Sequence, residues 1–192
     1  PDAVRTGQLI REGAVGELIG ARSVFGGKAG SGWGSNPWRY NKQITGGGIC
    51  IDGGSHWIRP LRMWLGEIDE VVAVLGYPLK EMEGESLARA LFRFRSGIIA
   101  SFEAIRAGAV NPPGEDFRVT GTKGEIIVEK GSGGRARLYD ADHRDGLEIL
   151  DNGESRDSAI GLELADFASA VLDGTSLTAG PEESLGELRT AL

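Results

Sequence analysis

A chain of 192 residues, with 40% hydrophobic and 26% charged residues, has the composition of one ordinary globular domain. Its net charge of −7, with basic residues scattered along the chain, argues against nucleic acid or an anionic membrane as a partner. The sequence predicts no membrane span, and its single cysteine, Cys50, favours a reducing, cytoplasmic location.

The first 42 residues predict a helix, a strand and a long loop. Residues 2–13 have the apolar spacing of a short amphipathic helix, and residues 16–25 are typical of a strand. Residues 26–42 are rich in glycine and aromatic side chains, and they include Trp38 and Arg39. Since long loops without periodicity are usually functional or disordered, and tryptophans argue against disorder, we expect a functional loop.

A buried helix is predicted from residue 46 to about Leu65. Its apolar side chains lie nearly all round the helix, Thr45 is the expected N-cap and Gly66 is the expected terminator. Three glycines occupy its first positions, which is unusual because each glycine costs a helix about 1 kcal/mol relative to alanine.

Beyond this helix the apolar period changes from 3.6 to 2, which predicts strands. Six are expected, at residues 68–75, 86–94, 98–105, 117–121, 125–129 and 135–139. Residues 160–172 predict another amphipathic helix, and Pro181 begins a last one. The expected fold is α+β: an open, largely antiparallel or mixed sheet of six or more strands, with helices packed on one face.

The most informative motif places an acid and an imidazole four residues apart, at Asp52 and His56. Four residues are slightly more than one helical turn, so both side chains would project from one face. A carboxylate beside an imidazole can fix its tautomer and prepare it for proton transfer. We therefore predict that both residues are catalytic. The alternative is that they only satisfy each other inside a buried helix.

Two further features predict substrate contacts. The glycines Gly47 and Gly48 make sense at a helix start that must admit a ligand, or another backbone, at short range. Trp38 and Arg39 could hold an anionic or hydroxyl-rich ligand through the planar fork of the guanidinium, or could be a stacked surface pair.

Other chemistries have less support. Cys50, Asp52 and His56 do not share one helical face, and His143 lies in a remote turn-like segment, so no metal site is expected. Residues 30–34 have the glycines of a phosphate loop but lack the Lys-Ser/Thr that follows them in such loops. No nucleophile elbow is present, and Cys50 is predicted to be a small core residue.

The motif Gly-Gly-Gly-x-x-x-Asp-x-Gly-x-His, preceded by Trp-Arg and followed by a helix ending in Trp-Leu-Gly, resembles the C-terminal domain of the Gfo/Idh/MocA oxidoreductases. The resemblance covers nearly the whole chain, including its opening helix and strand. It implies an NAD(P)-dependent oxidoreductase acting on a sugar, cyclitol or related polyol. Asp52 and His56 match the family's active-site acid and histidine.

The resemblance also implies that much of the enzyme lies elsewhere. Family members bind NAD or NADP through an N-terminal Rossmann domain and carry a catalytic lysine in a Glu-Lys-Pro motif, and neither is in this sequence. Residues 1–192 are therefore expected to be a single substrate-binding and oligomerisation domain, the C-terminal half of a two-domain dehydrogenase, inactive alone and truncated within a helix at Leu192.

One departure from the family concerns the substrate. Many members have an acidic residue three positions after the histidine, where this chain has Arg59 followed by Pro60.

A homodimer or tetramer through the open sheet face is expected, since a half-apolar sheet is seldom left bare. Two alternatives stay open: a non-catalytic dimerisation or scaffold domain, and a cofactor-free acid–base isomerase or lyase.

Overall fold

The computed structural model describes residues 2–29, 37–111, 114–129, 135–150 and 156–192. The helices of these residues are α1 (Asp2–Arg11), α2 (Lys42–Thr45), α3 (Ser55–Leu65), α4 (Arg156–Asp173) and α5 (Pro181–Ala191), with a 3-10 turn at Pro37–Tyr40 and a π-helical turn at Cys50–Gly54. The strands are β1 (Leu18–Lys28), β2 (Ile68–Gly76), β3 (Leu87–Phe94), β4 (Ile99–Ala107), β5 (Glu115–Gly121), β6 (Gly124–Glu129), β7 (Arg135–Asp140) and β8 (Leu147–Glu148).

The eight described strands form one open sheet in the order β2-β3-β4-β1-β5-β6-β7-β8. Strands β1 and β4 are parallel, whereas the other neighbouring pairs are antiparallel. Tight turns account for the hairpins: Gly97 has φ 86° and its N–H donates to the Phe94 carbonyl between β3 and β4. The predicted α+β class and the largely antiparallel, mixed sheet are confirmed.

One face of the sheet is buried under helices and the other is open. In β3 the side chains of Ala88, Ala90, Phe92 and Phe94 are buried, while alternate side chains such as Leu91 are exposed. Period-2 alternation therefore sorts the strand between core and open face. Helix α3 contributes Ile58, Leu61 and Trp64 to the same core.

The open face combines ion pairs with exposed apolar side chains. Arg89 lies 2.6 Å from Glu103 on the next strand, and Arg93 lies 2.5 Å from Glu70. Such exposed pairs stabilise a fold by less than about 1 kcal/mol each. The side chains of Arg89 and Arg93 remain 70% and 55% exposed, so this face is accessible to solvent.

Helix α4 stands apart from the core. Its apolar side chains are exposed, namely Leu162, Leu164, Phe167 and Val171. Its described tether is Asp166, whose carboxylate accepts hydrogen bonds from the backbone N–H and hydroxyl of Thr178 at 3.0 and 2.8 Å. None of the helices among the described residues has the length and apolar character needed to cross a membrane.

Two sequence-based expectations are corrected. Thr45 does not cap the central helix: it ends α2, whose N-cap is Asn41, and its hydroxyl bonds to the Asn41 and Gly47 carbonyls. The helix predicted from residue 46 begins as a π-helical turn at Cys50 and becomes α-helical at Ser55. The two-residue strand β8 was not predicted because it is too short to show alternation.

Candidate active site

A buried glutamate organises the start of the central helix. The N–H of Ile49 donates to the Glu85 carbonyl at 2.8 Å, and the N–H of Cys50 donates to Glu85 Oε1 at 3.1 Å. The first turn of a helix leaves its N–H groups without partners inside the helix. Glu85, only 8% exposed, supplies those partners from the segment before β3 and so acts as the cap that the sequence assigned to Thr45.

The glycines of the motif permit close packing against other parts of the chain. A Cβ on Gly48 would lie 2.6 Å from the Glu85 carboxyl carbon and closer still to the Glu85 backbone. A Cβ on Gly53 would collide with the Phe25 ring, and one on Gly54 would lie 3.0 Å from Phe102. The sequence analysis offered two explanations for these glycines, close approach of a ligand or of another backbone. Close approach of the Glu85 backbone accounts for Gly48.

Gly47 is also buried, and a Cβ there would collide with the side chain of Ile51. Contact of Gly47 or Gly48 with substrate stays a prediction.

Asp52 projects from the π-helical turn toward Arg39. Its carboxylate oxygen Oδ1 lies 4.0 Å from Arg39 Nη1, and the two side chains are 26% and 31% exposed. The Arg39 guanidinium is stacked 5.2 Å from the ring centre of Trp38, which is 42% exposed. The structure thus brings three predicted site residues together, with a carboxylate, a guanidinium and an indole that solvent can reach.

Arg106 completes this cluster, and the sequence analysis did not single it out. It lies at the end of β4, is 7% exposed, and places its guanidinium 5.8 Å from the ring centre of Phe25. Burial lowers the pKa of Arg106, and the charge of Arg39 adds to this, while Asp52 and Tyr40 oppose it. A charged residue at an inward position of the β4 alternation was the signal that could have identified it.

His56 faces a different environment. The imidazole is exposed and lines a cavity of about 1160 Å³ between α1, α3, α4 and α5, together with Arg59 and Glu187. Glu187 comes from α5, is 8% exposed, and places Oε1 3.2 Å from Arg59 Nη1. Burial raises the pKa of Glu187, although Arg59, Arg62 and His56 each oppose the shift. Arg59, the departure noted in the sequence, therefore has an acidic partner from another helix.

Asp52 and His56 are both described, and no hydrogen bond or ion pair joins them. Asp52 interacts with Arg39, whereas His56 faces the cavity. Each side chain is at least partly accessible, so the arrangement favours two groups that contact a ligand separately over a pair that satisfies itself. Their catalytic roles stay predictions at this point.

The remaining candidates have structural surroundings. Cys50 is buried, and burial together with the neighbouring Glu85 raises the pKa of its thiol to about 12. His143 Nδ1 lies 2.9 Å from Asp140 Oδ1 in the turn after β7. No cluster of three metal-ligating side chains occurs in the described part of the chain. Residues 30–36, which include Trp33 and the predicted glycine loop, lie outside the described residues.

The fold and the site define a class of protein domain. It is an α+β domain with an open sheet, and its central helix, which follows three glycines, carries an aspartate and a histidine. The profile of the GFO/IDH/MocA C-terminal domain matches residues 4–127, and the chain belongs to that family. Levoglucosan dehydrogenase of Pseudarthrobacter phenanthrenivorans is 26% identical to it, in a match covering 62% of this chain and 37% of that protein.

Solved structures have the same fold at low sequence identity. Levoglucosan dehydrogenase in complex with NADH and levoglucosan has a TM-score of 0.81 at 24% identity, and the match covers 98% of this chain and 59% of that one. Aldose-aldose oxidoreductase from Caulobacter crescentus, complexed with glycerol, has a TM-score of 0.80 at 23% identity, covering 97% and 55%. The chain thus spans little more than half the length of these proteins.

Proposed function

We propose that this chain is the substrate-binding and catalytic domain of an NAD(P)-dependent oxidoreductase acting on a sugar, cyclitol or related polyol. The observation that supports it most is the partly exposed Asp52 beside Arg39, with the exposed imidazole of His56 one turn further along the same helical segment. Family membership and the named activities of the matched proteins point to the same reaction.

In this proposal His56 takes the hydroxyl proton of the substrate, which becomes a carbonyl. An imidazole is suited to this step because its ordinary pKa lies near neutrality. Asp52 accepts a hydrogen bond from the reacting or neighbouring hydroxyl and fixes its orientation. Trp38 offers a flat apolar surface to the carbon-bound hydrogens of a sugar ring, and Arg39 donates to its oxygens.

The cofactor, when bound, supplies a nicotinamide that exchanges a hydride with the substrate carbon. The sequence contains no Gly-x-Gly-x-x-Gly turn after a strand, so we assign the dinucleotide to a separate nucleotide-binding domain. The exposure of His56 fits this arrangement, because the imidazole can be approached from outside the domain. The isolated chain is expected to lack turnover.

Turnover of the two-domain protein that carries this chain tests the proposal, with NAD(P)H formation as the readout. His56→Ala should lower kcat by about 10²–10⁴-fold, since positioned general bases contribute that much. Asp52→Asn should also reduce kcat. His143→Ala is the matched control, because it removes the other histidine of the chain and should leave kcat unchanged. Unchanged turnover in both site variants would instead favour the alternative hypothesis of a non-catalytic dimerisation or scaffold domain.

A second measurement addresses where the cofactor binds. Titration of the isolated chain with NADH or NADPH should give no saturable binding at micromolar concentrations. Micromolar affinity would contradict the assignment of the dinucleotide to another domain. Activity of the isolated chain on a sugar acid without added nucleotide would support the isomerase or lyase reading.

We also propose that two copies associate through the open sheet face. Val72, Val74 and Leu91 are 64%, 73% and 54% exposed there, and clustered exposed apolar side chains often mark protein–protein interfaces. Analytical ultracentrifugation should detect dimers or tetramers that Val74→Asp dissociates. Val171→Asp, on the exposed side of α4, is a control that keeps this face unchanged. A wild-type monomer at micromolar concentration would contradict the proposal.

A further inference from the structure

Strand β2 forms one edge of the sheet and is paired on one side only. Its partner is β3, and no other strand among the described residues is hydrogen-bonded to it. Alternate residues of an edge strand point their N–H and C=O groups away from the sheet, where a further strand could pair with them. The opposite edge is β8, which has two residues, whereas β2 has nine. The long edge of the described sheet is therefore β2.

Most of this edge lacks the features that usually prevent pairing. Natural proteins protect edge strands with prolines, charged side chains, bulges or a covering loop. In β2 such features lie at its start, where the register shifts between Ile68 and Glu70 and where Asp69 and Glu70 carry its charges. From Val71 to Gly76 the strand has no charged residue and no proline. This stretch can therefore accept a further strand.

Both faces of the same stretch are apolar and exposed. Val72 and Val74 project to the open face of the sheet. Val71 and Leu75 lie opposite buried residues of β3, so they project to the helix-covered face, yet they are 40% and 49% exposed. A second copy packed on the open face would leave Val71 and Leu75 in solvent. A strand placed beside β2 would cover side chains on both faces.

The uncharged stretch of β2 is self-complementary in antiparallel orientation. Around a two-fold axis at Ala73, Val71 of one copy would lie opposite Leu75 of the other. Val72 would lie opposite Val74 in the same way. Apolar pairs of this kind, directly across two strands, are the contacts that stabilise a sheet. Each valine and leucine of the stretch would thus meet an apolar side chain.

The charges of β2 favour the same orientation. Antiparallel pairing about Ala73 would place Glu70 opposite Gly76, which has no side chain. Parallel pairing in register would place Glu70 beside its own copy, and like charges directly opposite each other destabilise a sheet. Pairing of β2 with β8 of another copy would be limited to two residues and would extend into an open filament. A two-fold dimer avoids both problems.

We propose that two copies of this chain associate edge to edge, with β2 of one copy antiparallel to β2 of the other around Ala73, so that two sheets become one continuous sheet. This contact is separate from association through the open face, and a tetramer would contain both contacts. It includes none of the residues proposed for substrate binding or catalysis. Its failure would therefore leave the proposed oxidoreductase function unaffected.

Disulfide cross-linking tests the contact directly. The single native cysteine, Cys50, is buried, so an introduced surface thiol is the reactive one. In Ala73→Cys the two thiols would face each other, because opposed residues of an antiparallel pair have Cα atoms about 4.5–5.5 Å apart and a disulfide spans about 4.4–6.8 Å. Mild oxidation should therefore give a covalent dimer. Gly108→Cys, at an exposed position after β4, is the matched control and should remain monomeric on a denaturing gel.

Charged variants at the axis test the orientation. Ala73 is exposed, so the fold of one copy should tolerate a substitution there. Ala73→Lys should raise the Kd of the dimer about tenfold or more in sedimentation velocity, because two cations would face each other across the axis. Ala73→Glu should weaken the dimer for the same reason. An equal mixture of the two variants should associate again, which also shows that both are folded, whereas Gly108→Lys should have no effect.

Four results would each overturn the inference: a monomeric wild-type chain at micromolar concentration, no cross-link in Ala73→Cys, unchanged association of Ala73→Lys, or no association in the Lys–Glu mixture. A cross-link in Leu91→Cys, on the open face, without one in Ala73→Cys would assign self-association to that face alone. Cross-linking at position 73 together with recovery in the mixture is the result expected from the edge-to-edge pair.

Discussion

Replacing Gly48 with alanine should destabilise the whole domain. Gly48 lies just before the central helix and packs against Glu85, the residue that accepts the first N–H groups of this helix. A Cβ on Gly48 would lie 2.6 Å from the Glu85 carboxyl carbon, and the Glu85 backbone is nearer still. Backbone cannot move aside as a flexible side chain can. To make room for the added Cβ, the turn at Cys50 would have to move away from the residues that lead into β3.

The magnitude follows from what this separation breaks. Overpacking of a tight interior costs about 1–3 kcal/mol. Displacing Glu85 also weakens the 2.8 Å bond from the Ile49 N–H and the 3.1 Å charge-assisted bond from the Cys50 N–H. Such bonds contribute about 0.5–1.5 and 1.5–3 kcal/mol respectively. A loss of about 3 kcal/mol or more is expected, and it corresponds to a decrease in Tm of about 6–12 °C for a chain of this size.

Thermal and urea unfolding followed by circular dichroism would measure the change. Gly108→Ala is the matched control, because a Cβ there meets open space and the backbone is not in the left-handed region. That variant should stay within about 0.5 kcal/mol of the wild type. A Gly48→Ala protein as stable as Gly108→Ala would refute the close approach, and the helix start would then need another explanation for its glycines.

Three further predictions concern buried titratable groups. Cys50 should resist alkylation in the native protein at pH 9, since its thiol pKa of about 12 leaves little thiolate. In guanidinium the same thiol should react fully. Rapid labelling of the native protein would contradict the burial of Cys50. Glu85→Ala should lower the free energy of unfolding by about 1.5–3 kcal/mol, measured by denaturant titration. Glu85→Gln keeps an acceptor for the Cys50 N–H and should lower it less. Equal losses of stability in the two variants would show that this acceptor is unimportant. The pKa of Glu187 is raised above its ordinary 4.5, so the folded state holds this proton more tightly than the unfolded state does, and the contribution to stability falls as the pH rises above 4.5. The Tm of Glu187→Gln should therefore gain on that of the wild type as the pH rises above 4.5. A constant difference in Tm would contradict the raised pKa.

Much of the fold could be predicted from local pattern. The alternation of apolar and polar residues located six strands to within about two residues, since inward and outward side chains repeat every second position along a strand. The helix terminator Gly66 and the first residue of α5, Pro181, also follow from local preferences. Asp52 and His56 could be selected as candidates because their spacing is a property of the chain itself.

The start of the central helix could not be predicted in the same way. Thr45 carried the local signal of a cap, but the acceptor at that helix start is Glu85, which lies 35 residues beyond Cys50. The helix therefore begins where a distant carboxylate can reach it, and glycine at position 48 is required by that approach.

The sequence by itself determined the class of the fold and the family, and it selected the two residues proposed for proton transfer, because periodicity and motif spacing are encoded within short windows. Only the tertiary structure decided that Asp52 faces Arg39 and Arg106 while His56 faces the cavity with Glu187. The physical reason is that the charge balance of a site depends on side chains from separate strands and helices. Their convergence is set by sheet register and helix packing, which no local window contains.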